Sequence, residues 1–185
     1  MPSIKREIIE FPATENKIQH ITNHIKNTIE SGVEKLIVFT YWIKTFSALI
    51  EEFKKRSESI YSKSTYEERT EAITRFHEDP SCSIFITTIP ISVMGLNDLT
   101  NASHIVIAEF NQKLTINDII QAEGRAWYIG RKDPLTIQFL LPKKSPESSL
   151  VRSIIESQES IVGLGEDASL TDEELARMMA AGKNR

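Results

Sequence analysis

The 185 residues suffice for one full hydrophobic core with a short tail, and fall short of two domains of ordinary size. A formal charge of -4 argues against broad, nonspecific attraction to nucleic acid while leaving room for a local basic patch. The single cysteine, Cys82, rules out a disulfide framework or a thiolate zinc site, and no apolar run reaches membrane-spanning length. The N-terminus lacks the apolar core of a secretory signal, so an intracellular protein is expected.

Residues 1–12 read as a tether, because Pro2 and Pro12 limit regular structure. Helical spacing follows in Ile18, Ile21, Ile25 and Ile29, with Thr14 as the expected N-cap and Gly32 beyond the far end. The run 36–40 (Leu-Ile-Val-Phe-Thr) reads as a short buried strand. A second helix is expected to turn Ile43, Phe46, Leu49, Ile50 and Phe53 inward. Ile60 and Tyr61 form a minimal strand at most. Two overlapping capping boxes, Ser64 with Glu67 or Thr65 with Glu68, open a helix that stops near Asp79 and Pro80.

Residues 83–88 are strand-like and continue into Cys82 on one side, which is expected to be buried and inert. The segment 90–100 reads as a loop or a broken short helix, followed by a strand over 104–108 that ends at Glu109. The next helix is expected to begin near Thr115 and to bury Ile116, Ile119 and Ile120. It ends in Gln121-Ala122-Glu123-Gly124-Arg125, ahead of a strand over 135–141. A helix from about Glu147 and a short terminal helix opened by Thr171 and Glu174 complete the chain.

Short apolar runs separated by helices predict an α/β fold, with a mostly parallel central sheet and helices on both faces. Ligands of such sheets meet the loops beyond the carboxyl ends of the strands. Thr40 to Trp42, Thr87 to Asn97, Glu109 to Thr115 and the Gly130 turn are therefore expected along one edge.

The chemistry in the sequence is that of half a site. There is no Gly-rich phosphate loop, no dinucleotide fingerprint and no strand-end carboxylate pair for magnesium. His20 and His24 are four apart on a helix but lack acidic or cysteine company, so no metal site is expected. Ser92 and Cys82 have no base partner in sequence. What remains is arginine beside glycine at a helix end, Arg125 with Arg131 nearby. Such a guanidinium fork matches phosphate oxygens and can complete a phosphoryl-transfer site built largely by another domain.

Several segments, in order, carry a resemblance. Val38 to Trp42 resembles the fourth helicase motif, and Lys63-Ser64-Thr65 with Glu68-Arg69 resembles the segment after it. Phe76 to Pro80 and Ile84 to Thr88 lead toward Gly95-Leu96-Asn97, which is similar to the fifth motif. Gln121 to Ala126 with Ile129-Gly130 resembles the sixth. The chain thus resembles the second, C-terminal RecA-like lobe of a superfamily 2 helicase of the SNF2 class. Residues 147–158 and 170–175 resemble the ending of its Rad5/Rad16-like branch.

The resemblance implies a RecA-like three-layer lobe over residues 13–160 and a flexible segment with a short terminal helix over 161–185. It implies a catalytic role for Arg125 toward a triphosphate, with Gln121, Gly124 and Gly95 in the nucleotide-binding set. It also implies contacts from Thr40, Thr88 and Asn97 to the backbone of double-stranded DNA. ATP and Mg2+ are implied only where an N-terminal RecA-like lobe, in cis or trans, completes the site. Nuclear residence follows from the same likeness.

The departures cluster at the same positions. Tyr128 stands where the sixth motif has its second arginine, and a neutral phenol supplies no bidentate, permanent charge. Arg131, three residues on, replaces it only if the loop is rebuilt. Ile91 to Met94 stand where the fifth motif has glycines, Asp98 is an insertion, and Tyr41 replaces a glutamine. Two readings follow: a working half-motor, or a catalytically degenerate lobe that binds a protein partner through its interlobe face or through Trp42, Phe110 and Trp127.

Overall fold

A computed structural model describes residues 4–14, 16–89, 99–111, 116–127, 131–149, 151–153 and 155–156. The chain divides into two compact units, Met1–Ser149 and Leu150–Arg185. In the first unit the elements run β1 (Ile4–Phe11), α1 (Lys17–Glu30), β2 (Leu36–Thr40), α2 (Ile43–Phe53) and β3 (Ser57–Ile60). They continue through α3 (Tyr66–Glu78), β4 (Ile84–Thr88), β5 (His104–Ile107), α4 (Ile116–Gly124) and β6 (Leu135–Pro142). In the second unit the described residues, 151–153 and 155–156, are helical.

The six strands form one sheet in the order β1-β6-β5-β2-β4-β3, with every neighbouring pair parallel. This is the expected α/β three-layer architecture. Strands β2 and β4 are buried at every position, as required when both faces of a parallel sheet are covered. Alternate residues separate the two faces. Leu36, Val38, Ile84, Ile86, Val106 and Leu140 join Ile21 and Ile25 of α1 and Phe46 and Leu49 of α2 in one core cluster. On the opposite face, the Phe85 ring meets Phe76 of α3 at 5.3 Å between centroids.

Local signals account for most element boundaries. Helix α3 starts with the second of the two anticipated capping boxes: the Thr65 hydroxyl accepts from the Glu68 N–H, and the Glu68 carboxylate accepts from the Thr65 N–H. Helix α1 is capped by Asn16 rather than Thr14, its side chain accepting from the Ile18 and Gln19 N–H groups. Gly32, at φ +100°, provides the left-handed residue that ends the turn after α1.

Two expectations need correction, and others fall outside the described residues. The segment read as a tether is strand β1, in register with β6 from Ile4↔Leu135 to Phe11↔Pro142. It lies at the sheet edge, where interspersed charge is tolerated, so its Lys5, Arg6, Glu7 and Glu10 mask a strand signal. Ile43 is 59% exposed and Ile120 45% exposed, so neither faces the core; each sits at the margin of its helix's apolar stripe. Residues 161–185, Gly95, Asn97 and Tyr128, together with the loop 90–98, lie outside the described residues.

Candidate functional site

Because every strand is parallel, the sheet has a carboxyl rim and an amino rim. Taking about 3.3 Å per residue over β2, they lie roughly 15 Å apart. The sequence places the candidate residues on one edge, whereas the structure divides the described ones between the two rims.

At the carboxyl rim, Thr40 and Thr88 are register partners at the ends of β2 and β4. Both are buried, and the Thr40 hydroxyl donates to the Thr87 carbonyl at 3.4 Å. Beside them is a residue for which the sequence suggested no role. Glu109, just past β5 and 2% exposed, accepts from the Tyr41 and Trp42 N–H groups through Oε2 at 3.1 and 2.9 Å. Its Oε1 accepts from the Thr45 hydroxyl at 2.7 Å and lies 3.6 Å from the Lys17 ammonium. Trp42 is the N-cap of α2 and makes no side-chain capping bond of its own, so Glu109 supplies the acceptor from another strand. A negative group there also matches the helix dipole. The helix end so fixed displays Trp42, 52% exposed, while Phe110 is buried and Trp127 half-buried.

At the amino rim, successive main-chain bonds link the segments that enter the strands. Ser103 N–H donates to the Lys35 carbonyl at 3.2 Å, Thr136 N–H to the Ser103 carbonyl at 3.0 Å, and Leu99 N–H to the Arg125 carbonyl at 3.2 Å. The last of these fixes the end of α4 at this rim. Gln121 and Gly124 are exposed there, and Arg125 is half-buried. Open space surrounds Gly124, where an added Cβ meets nothing within 4 Å. Burial holds the Arg125 guanidinium below its ordinary pKa, and it stays cationic throughout the physiological range.

Arg131 has a different task from the one weighed in the sequence. It is 6% exposed and donates to four main-chain carbonyls: Asp133 at 2.9 Å, Thr100 at 3.2 Å, Ala126 at 2.9 Å and Ala102 at 2.8 Å. A guanidinium committed to four carbonyls does not stand in for the arginine missing at position 128. Lys35 acts similarly: its ammonium donates to the Phe76, Asp79 and Cys82 carbonyls at 2.6, 2.8 and 2.7 Å, closing the end of α3.

A second unanticipated feature is the pair Arg6–Glu123. Arg6 Nε and Nη2 donate to the two oxygens of Glu123 at 2.9 and 2.8 Å, across 117 positions of sequence. The side chains are 13% and 6% exposed. Reading residues 1–12 as a tether hid this contact. Cys82 is buried as expected, and burial pushes its thiol pKa up, away from reactive thiolate. A groove of about 970 Å³ opens among Val33, Lys54, Arg56, His77 and Ser81, but no candidate site residue lines it.

Comparison with known proteins agrees with this architecture. Over 155 residues the chain is 28% identical to a SWI/SNF-related matrix-associated actin-dependent regulator of chromatin subfamily A-like protein 1 from Xenopus tropicalis, covering 82% of this chain and 16% of that protein. It is 31% identical over 106 residues to the human DNA excision repair protein ERCC-6, covering 55% of this chain and 7% of that protein. The chain therefore spans under a fifth of either relative. Among solved structures, the C-terminal domain of the DEAD-box protein Dbp5 superposes with a TM-score of 0.67 at 21% identity, covering 84% of this chain and 85% of that one. The C-terminal part of the Fun30 ATPase domain gives 0.63 at 22%, covering 75% and 45%. Neither relative singles out the Rad5/Rad16-like branch, and the solved structures share the fold. The family model of the helicase conserved C-terminal domain matches residues 16–130, and the chain belongs to that family.

Proposed function

We propose that this chain is the C-terminal lobe of an SNF2-type, ATP-dependent translocase on double-stranded DNA, inactive alone and completed by an N-terminal RecA-like lobe. The observation that carries the reading is the end of α4. There a half-buried arginine follows an exposed glycine and precedes a buried alanine, at the rim where Lys35 and Arg131 each donate to main-chain carbonyls. The donors present fit a contributor to a nucleotide site rather than a whole one. They are a guanidinium, the Gln121 carboxamide and open backbone at Gly124, and no acidic or histidine cluster suited to a metal occurs among the described residues.

Magnesium–ATP, when held by the N-terminal lobe, supplies the phosphoryl group. Arg125 offsets charge on it, and Gln121 links nucleotide to the lobe interface; Gly95 belongs to the same set by resemblance. At the other rim, Thr40 and Thr88 border the surface assigned to DNA phosphate, and Asn97 joins that set by resemblance alone; such contacts position the lobe without reading sequence. The assignment to the nucleus follows from relatives named for chromatin and DNA excision repair.

A second reading, a degenerate lobe that serves as a protein-interaction module, draws on Tyr128 and on the exposed Trp42, Ile43 and Tyr66. ATP hydrolysis by the chain mixed with an N-terminal SNF2 lobe, with and without DNA, separates the two. Activity in the native mixture that Arg125→Ala lowers by about a hundredfold or more supports the half-motor. Activity confined to Tyr128→Arg favours the interaction module.

A further inference from the structure

The contact between β1 and α4 bears directly on the residue assigned to phosphate. Glu123 lies in the last turn of α4, which contains no basic residue. A carboxylate there opposes the helix dipole, and this one is also removed from water. Arg6 answers both costs with two charge-assisted bonds of fork geometry. Arg6 is itself fixed, because it is in register with Ile137 in a strand paired along its whole length to β6.

The main chain of the same residue closes the turn that carries Arg125. The Glu123 carbonyl accepts from the Ala126 N–H at 3.2 Å and the Trp127 N–H at 3.1 Å, and the Arg125 N–H reaches the Ala122 carbonyl at 3.3 Å. If Arg6 is removed, an uncompensated buried carboxylate is left, and the shortest route to hydration is to unwind this turn. That movement carries Arg125 with it.

We propose that Arg6 is a positioning residue which, through Glu123, sets the terminal turn of α4 from which Arg125 projects. The functional weight of this inference rests on the proposed role of Arg125 toward phosphate, but its structural content is tested separately. A displacement of about 1 Å at a group that stabilises a transition state lowers turnover by about a hundredfold. The edge strand therefore acts on the site without touching its ligand.

The test is amide hydrogen exchange on the full chain, comparing native protein with Arg6→Met, Arg6→Lys and Glu123→Gln. The expected result for Arg6→Met is exchange at least about tenfold faster over residues 124–127, with β2 and β4 unchanged. Arg6→Lys, which keeps the charge and loses the fork, is expected to lie between; it also provides the measurement if Arg6→Met does not fold. Glu123→Gln removes the buried charge together with its need for a partner, so it is expected to raise exchange less than Arg6→Met. Unchanged exchange over 124–127 overturns the proposal, as does faster exchange spread evenly through the sheet.

A parallel arm measures ATP hydrolysis with the N-terminal lobe, where Arg6→Met is expected to lower kcat far more than it raises KM. The Arg125→Ala control keeps the two ideas apart. If that variant hydrolyses ATP like the native chain, the phosphate reading of Arg125 falls, while the exchange result still stands for or against Arg6.

Discussion

The two rims of the sheet are mirror problems solved with opposite charges. At the carboxyl rim helices begin and expose N–H groups; at the amino rim helices end and expose carbonyls. Glu109, an anion, gathers the N–H groups at the start of α2, whereas Lys35 and Arg131, both cations, gather carbonyls at the opposite edge. In a parallel sheet with antiparallel helices this sorting follows from the backbone alone. It teaches that a charged residue near a helicase-like motif cannot be assigned to ligand until the neighbouring main-chain groups have been satisfied.

The comparison is most directly broken at Arg131. Replacing it with Met leaves carbonyls of Thr100, Ala102, Ala126 and Asp133 without their shared donor, and unfolding by urea is expected to show a loss of about 3–4 kcal/mol. Arg131→Lys is expected to restore only part, because an ammonium lacks the planar fork. A loss below about 1 kcal/mol would show that Arg131 is not the organiser of the amino rim.

At the other rim, Glu109→Ala removes the acceptor for two N–H groups and the Thr45 hydroxyl, and an expected loss of about 2 kcal/mol follows. Glu109→Gln keeps an acceptor without the charge and is expected to cost about half of that. Trp42 emission checks the local effect, since the side chain projects from the helix end that Glu109 fixes.

The smallest effect is expected at two half-buried histidines. His24 bonds to Gln138 between α1 and the sheet, at 2.8 Å, and burial lowers its pKa, with His20 adding to that; burial lowers the pKa of His104 as well. Both depressed values mean that the unfolded chain takes up protons first. Their contribution is complete above the ordinary value of 6.5 and is lost as pH falls through the depressed folded values. The melting temperature is expected to fall between pH 7.5 and 5.5, and His24→Gln to flatten that slope. An unaltered slope would place the titration elsewhere.

Much of this architecture was legible from residue pattern. Leu36 to Thr40 and Ile84 to Thr88 are uniformly apolar or small because both sheet faces are covered, and the Thr65–Glu68 box is a local signal needing no tertiary context. What escaped depended on distant partners. Arg6 reads as a surface charge until Glu123 is placed beside it, and Arg131 reads as a phosphate ligand until four carbonyls converge on it. The rule that places ligand loops at strand carboxyl ends located Thr40 and Thr88 but misplaced Arg125, because α4 carries the chain back across the sheet before Arg125 is reached.

The pairing of β1 with β6 also sets an order of events during synthesis. Ile4 meets Leu135, so the earliest of these strands to be translated waits for the latest. At about 5–20 residues per second that interval is on the order of ten seconds. The other four strands can associate within it, but β1 remains an unpaired, charge-bearing segment. Closing so long a loop comes late and costs entropy that only the completed edge repays. The turn bearing Arg125 therefore gains its anchor as one of the last acts of folding.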